Sequence, residues 1–139
     1  MGKSYLSLSK EEEQRASDLH EKAIVIDACY IAPLDGAYFN DLKIGGITAV
    51  GASPEESDSI ITSSSRAPSD FFSVARSFEH FKETITQRNS EISSAISVDD
   101  IRRAKKERKI AVFLYTQDLQ HLIDSELFFL RFLYQQGLR

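Results

Sequence analysis

The stretch IAVFLY, residues 110–115, holds six residues without a charge between Lys109 and a polar loop. A short apolar run of this kind reads as a strand covered on both faces, as in a parallel sheet flanked by helices. Two other runs read the same way: AIVIDA at 23–28 and ITAV at 47–50. Helical patterns fall between them. Ser9 followed by Glu12 forms a capping box that opens a polar helix to about Lys22, with Ala16 and Leu19 as a thin apolar stripe. Residues 37–44 read as a short helix with Tyr38, Leu42 and Ile44 inward, stopped by Gly45-Gly46.

Downstream, Phe71, Val74, Phe78, Phe81 and Ile85 recur at spacings of three and four, which predicts the longest helix over 70–89, capped by Ser69. Residues 92–96 read as a connection or weak strand. Ser97-Val-Asp-Asp100 is a second capping signature, opening a helix to Glu107 with Ile101 and Ala104 inward. Residues 126–136 form an amphipathic pattern with Leu127, Leu130, Leu133 and Tyr134 inward, ended by Gly137, after which a strand could begin. Apolar strands alternating with helices predict an α/β fold with a parallel sheet.

Composition narrows the class. A net charge of −4 argues against nucleic acid as a partner. The basic cluster Arg102, Arg103, Lys105, Lys106, Arg108 and Lys109 reads as a solvated helix face with cations near its C-terminus. Cys29 is the single cysteine, so no intrachain disulfide forms, which suits a reducing compartment. No run is long and apolar enough for a signal peptide or a membrane span, so the cytoplasm is the expected location and a membrane partner is not. The 139 residues are read as one partial α/β domain, with 1–15 peripheral and the serine-rich stretch 51–68 a flexible loop.

Parallel α/β proteins bind ligands beyond the carboxyl ends of their strands. That rule selects Asp27, Cys29 and Tyr30 after the first strand, and Gly51, Ala52 and Ser53 after the second. After the third it selects Thr116, Gln117 and Asp118, with His121 further along the loop. Each has a plain structural alternative. Asp27 can cap a backbone amide, and Cys29 can act as a small buried hydrophobe. His20 and His80 read as surface residues, and no catalytic dyad is evident. Gly45-Gly46 lacks the spacing of a phosphate-binding loop.

Three segments together resemble the renal (membrane) dipeptidase family, peptidase family M19. DLHEKAIVIDA at 18–28, with Pro33, is similar to its opening, L-H-x-x-A followed by I-V-I-D-G-H-N-D-x-P. VDDIRRAKKERKIAVFL at 98–114 resembles D-I-R-R-A-K-x-E-G-K-I-A and the strand after it, and LRFLYQQGLR at 130–139 resembles L-R-x-F-Y-x-L-G-V-R. The resemblance implies a metal-dependent (β/α)8 barrel of the amidohydrolase type. Such a barrel needs about 200 residues or more, so this chain would be about the first third of one.

The family's metal ligands do not carry over. Where its first strand ends in H-x-D, this chain has Cys29 and Ile31. Where its third barrel strand ends in a bridging Glu, this chain has Gln117. Zinc is expected for typical members, and none is expected in this chain. The implied function is that of a dipeptidase-like hydrolase piece, inactive alone, with no catalytic residue and no metal ligand assigned. Asp27, Cys29, Tyr30, Gln117 and Asp118 stand as candidate substrate-site positions. The alternatives are a non-catalytic relative that binds a small molecule or partner at the barrel mouth, and a free-standing small α/β binding domain. The expected partners are a dipeptide-like small molecule and either a second copy or a missing C-terminal portion.

Overall fold

Alternate residues of the strand Ile110–Leu114 enter two different cores. That alternation organises the molecule. The computed structural model describes residues 7–30, 36–53, 71–116 and 127–139. Its elements are α1 (Lys10–Lys22), β1 (Ile26–Tyr30), α2 (Gly36–Ile44), β2 (Ala49–Ala52), α3 (Phe71–Gln87), β3 (Ile92–Ser94), α4 (Val98–Lys106), β4 (Ile110–Leu114) and α5 (Leu127–Gln135). The strands form one sheet in the order β1-β2-β4-β3, and every neighbouring pair is parallel. The α/β reading from sequence therefore holds, with the three apolar runs adjacent in the sheet.

On one face, Val50, Ala52, Ile110, Val112 and Leu114 pack under α2, α3 and α5, against Phe39, Phe78, Phe81 and Leu133. We call this the helix side. On the opposite, inner face, Ala49 and Ala111 meet Ala104 of α4 and Ala95, with Ile101 and Phe113 half-buried beside them. Gly51 continues the inner face. A Cβ there would stand 2.7 Å from a ring carbon of Phe113 and 2.7 Å from the carbonyl oxygen of Ala28, so only glycine lets that ring lie across β2.

Local chemistry sets the helix ends. Ser9 Oγ accepts from the Glu12 amide at 3.3 Å, and the Glu12 carboxylate accepts from the Ser9 amide at 2.8 Å, which completes the expected capping box. Gly46 takes the left-handed φ of +69° after α2, and Gly137 takes +114° after α5. Arg108 also adopts a positive φ, 57°, after α4, where the resembled segment carries Gly.

Of the two readings of residues 92–96, the weak strand holds: Ile92–Ser94 form β3, which pairs with β4 from Ile92↔Ile110 to Ser94↔Val112. Several other sequence expectations need correction. Gly51 and Ala52 belong to β2 and not to the serine-rich loop, whose residues 54–68 lie outside the described part. The first run is not buried on both faces: β1 is the outermost strand among the described residues, and Ile26 is 48% exposed. Ile44, Leu127, Leu130 and Tyr134 were expected inward but are exposed. Leu42 and Leu133 are buried as expected and Tyr38 is half-buried; Phe39 joins Leu42 in the core below α2, and half-buried Phe129 and Phe132 flank Leu133 in α5. Leu19 is exposed too, and α1 buries no residue. Phe78 and Phe81 are buried as expected, and the Phe71 side chain lies outside the described part. Leu138 forms a parallel bridge with Leu114, where the sequence allowed a further strand to begin.

Candidate functional site at the carboxyl edge of the sheet

Parallel register brings the strand ends to one edge. Tyr30, Ala52 and Leu114 stand side by side across β1, β2 and β4, with a register shift between Asp27 and Tyr30. The ladder runs one step further, since the Tyr115 amide donates to the Ala52 carbonyl at 3.1 Å. Ser53, Tyr115 and Thr116 therefore follow directly on this edge. Ser53 is buried, while Tyr115 and Thr116 are half-buried and each is engaged in an interaction within the fold.

The candidates separate on this frame. Asp27 pairs in register with Val50, inside the sheet and not at its edge, and is half-buried with an interaction of its own. Cys29 and Tyr30 are the last residues of β1, with side chains outside the described part. Gln117, Asp118 and His121 lie outside the described residues. His80 is exposed on α3. His20 is exposed, and its Nε2 donates to the Gly45 carbonyl at 2.9 Å, tying α1 to the end of α2. Sequence reasoning missed that tie, because nothing in the spacing connects residues 20 and 45.

The basic cluster is engaged within the fold at four positions. Arg102 pairs with Asp99 at 2.9 Å, Arg103 with Asp100, and Lys109 with Glu107 at 3.1 Å. Lys105 Nζ donates to the Ala23 carbonyl at 2.5 Å, joining α4 to the residue before β1. The Asp100 carboxylate accepts from the Ser97 hydroxyl and from the Ser97 and Ile96 amides at 2.7–3.0 Å. These bonds, the Ser97 hydroxyl foremost, then the Ile96 amide and Arg103, lower its pKa to about 2.

Two apolar cavities open beside the sheet. One, of about 820 Å³, lies between the end of β4 and α5, lined by Tyr115, Thr116, Leu130, Tyr134 and Leu138. At its rim the Arg139 guanidinium stacks on Tyr134 at 4.3 Å and donates to the Ile96 carbonyl at 2.7 Å. The other, of about 280 Å³, lies on the inner face among Ile26, Ile96, Val98, Ile101 and Phe113.

Comparison with solved structures reports on the fold. The chain is similar to an amidohydrolase from Pseudomonas aeruginosa, with TM-score 0.69 and 22% identity over 88% of this chain and 34% of that one. It is similar to the probable dipeptidase PvdM from the same organism, with TM-score 0.69 and 15% identity over 95% of this chain and 37% of that one. The fold is that of an arc of a (β/α)8-type barrel. The chain spans about a third of the length of each of these proteins. No family model matches the chain, and no curated protein matches it.

The donor set does not fit the two-metal centre that the resembled family implies. Isoleucine at position 31 has no donor atom, and the amide of Gln117 is neutral where the family bridges two cations with a carboxylate. Among the described residues, no three His, Cys, Asp or Glu side chains come together in a group that could hold a metal ion.

Proposed function

We propose that this chain is part of a dipeptidase-like barrel of the renal (membrane) dipeptidase family. In this reading its strand ends help to bind a dipeptide-like molecule and supply no metal ligand. The likeness of the parallel arc to two hydrolase-type barrels carries this reading. The substitutions Cys29, Ile31 and Gln117 support the second half of it. Hydrolysis by this chain alone is not expected, because a water activated by metal needs ligands that these positions lack. A cytoplasmic setting with Cys29 reduced goes with the same reading.

The test is a zinc analysis of protein purified without chelator, together with titration and hydrolysis assays on glycyl-leucine. The reading expects well under one zinc per chain, saturable binding and no cleavage. Two tightly held zinc ions, or zinc-dependent cleavage, would overturn it. The exposed side chains Leu127, Phe128 and Tyr134 favour a second reading, in which α5 and the open edge meet a protein partner or a second copy. Light scattering at high concentration decides that point. Self-association supports it, and a monodisperse monomer supports a free-standing domain instead.

A further inference from the structure

Three polar residues are buried among the described ones: Thr48, Ser53 and Ser77. Two of them are satisfied. Thr48 Oγ1 accepts from the Val25 amide at 3.2 Å, and Ser77 is engaged within the fold. Ser53 Oγ is fully buried and has no hydrogen-bond partner among the described residues. Thr48 and Ser53 flank the same strand, β2, at its amino and carboxyl ends. A buried hydroxyl without a partner costs stability, so its retention calls for a cause.

Position suggests the cause. Ser53 follows Ala52 directly, level with Tyr115, on the edge where parallel sheets bind their ligands. Strand alternation, with Ala49 and Gly51 on the inner face, assigns Ser53 to that face as well. The buried polar residues among the described ones, Thr48, Ser53 and Ser77, are all neutral, so Ser53 itself offers a ligand's carboxylate a hydroxyl donor and no opposite charge. A neutral oxygen is better matched to a lone hydroxyl donor.

We propose that Ser53 is a ligand-binding residue whose hydroxyl donates to an amide carbonyl oxygen of a peptide-like molecule in the mouth of the sheet. The peptide-like class rests on the function proposed above; the unpaired hydroxyl does not. Ser53→Ala removes the hydroxyl at nearly constant volume. The variant is expected to melt at a higher temperature than the parent, while Thr48→Ala melts lower. It is also expected to bind glycyl-leucine about three- to tenfold more weakly by calorimetry, the loss of one neutral hydrogen bond.

A lower melting temperature for Ser53→Ala would mean that the hydroxyl is already used within the fold, and would overturn the proposal. Unchanged affinity for glycyl-leucine would overturn it too. If the parent chain ignores glycyl-leucine, the dipeptide reading falls by itself. Acetamide, a bare amide carbonyl, then decides for Ser53. A saturable shift of the Ser53 backbone amide resonance that Ser53→Ala abolishes supports the role, and no shift overturns it.

Discussion

On the helix side of the sheet, Val50, Ile110, Val112 and Leu114 are covered by three helices and almost wholly excluded from water. On the inner face only α4 covers the strands among the described elements, and it does so through Ala104 and half-buried Ile101. The inner-face residue Ile26 and its neighbours Ile96 and Val98 are about half exposed. One face is a finished core of large side chains. The other is a floor of small ones, Ala49, Gly51 and Ala111, crossed by the Phe113 ring. This is the pattern of a barrel wall, whose outside is packed by helices and whose inside is narrow and filled by side chains from several strands.

Truncation on the two faces is the strongest way to break that contrast. Phe78→Ala on the helix side should cost about 3–5 kcal/mol, because a fully buried ring leaves a cavity. Ile26→Ala on the inner face should cost about 1 kcal/mol or less, since half of the side chain is already in water. Urea unfolding of both variants measures the difference. Equal losses would mean that the inner face is covered in solution.

Gly51→Ala probes the floor itself. Its methyl group would meet the Ala28 carbonyl and the Phe113 ring at 2.7 Å, and neither can give way without moving a strand. The expected loss is about 1–3 kcal/mol, the usual range for overpacking. Pairing it with Phe113→Leu should recover only part of that loss, because the carbonyl contact remains. Full recovery would show that the ring alone dictates the glycine.

The sequence made the helix side legible and left the inner face obscure. Runs such as IAVFLY announce strands, and Phe78, Phe81 and Ile85 announce the helix above them, because burial writes a period into the sequence. For α2 and α5 that period found Leu42 and Leu133 but also took in Ile44 and Leu127, which are exposed and look like core in the sequence. β3 was faint because three residues, Ile-Ser-Ser, carry too little pattern. At the candidate site, topology alone selected Ser53, but only the folded arrangement exposes its unpaired hydroxyl. Hydrogen-bond satisfaction depends on neighbours distant in the chain, and a single sequence does not record them.

The caps of α4 sharpen the comparison further, because this helix is what covers the inner face among the described elements. Asp100→Asn removes a carboxylate that three bonds from Ile96 and Ser97 hold in place, and should cost about 1 kcal/mol near neutral pH. The carboxyl titrates at about 2 in the folded chain, below its ordinary value of 3.8. Its contribution is therefore present in full above the ordinary value and is lost as pH falls towards 2. Parent and variant stabilities, measured by urea unfolding from pH 7 downwards, should converge over that interval. A gap undiminished at pH 2 would assign the effect to packing and not to the charged cap.

Arg108 closes the other end of the same helix and should give the smallest effect, with the opposite sign. Its φ of 57° is left-handed, where a Cβ crowds the following carbonyl and glycine does not. Its amide donates to the Lys105 carbonyl at 3.2 Å, and the Lys109 amide reaches back to Ala104 at 2.9 Å, so the turn itself is well formed. The Arg108 side chain is exposed and takes part in none of the ion pairs that tie down its neighbours. Arg108→Gly should therefore relieve strain without removing a contact. The added freedom of glycine in the unfolded chain offsets part of that gain. The expected net gain is about 0.5–1 kcal/mol, read as a shift of the urea midpoint with an unchanged slope. Because α4 packs through Ala104 and Ile101, the gain should appear as slower hydrogen exchange at Ala111 on the inner face, with little change at Val112 beyond the global shift. A destabilised Arg108→Gly variant would show that the arginine stem packs usefully on the surface, and would remove strain from the account of this turn.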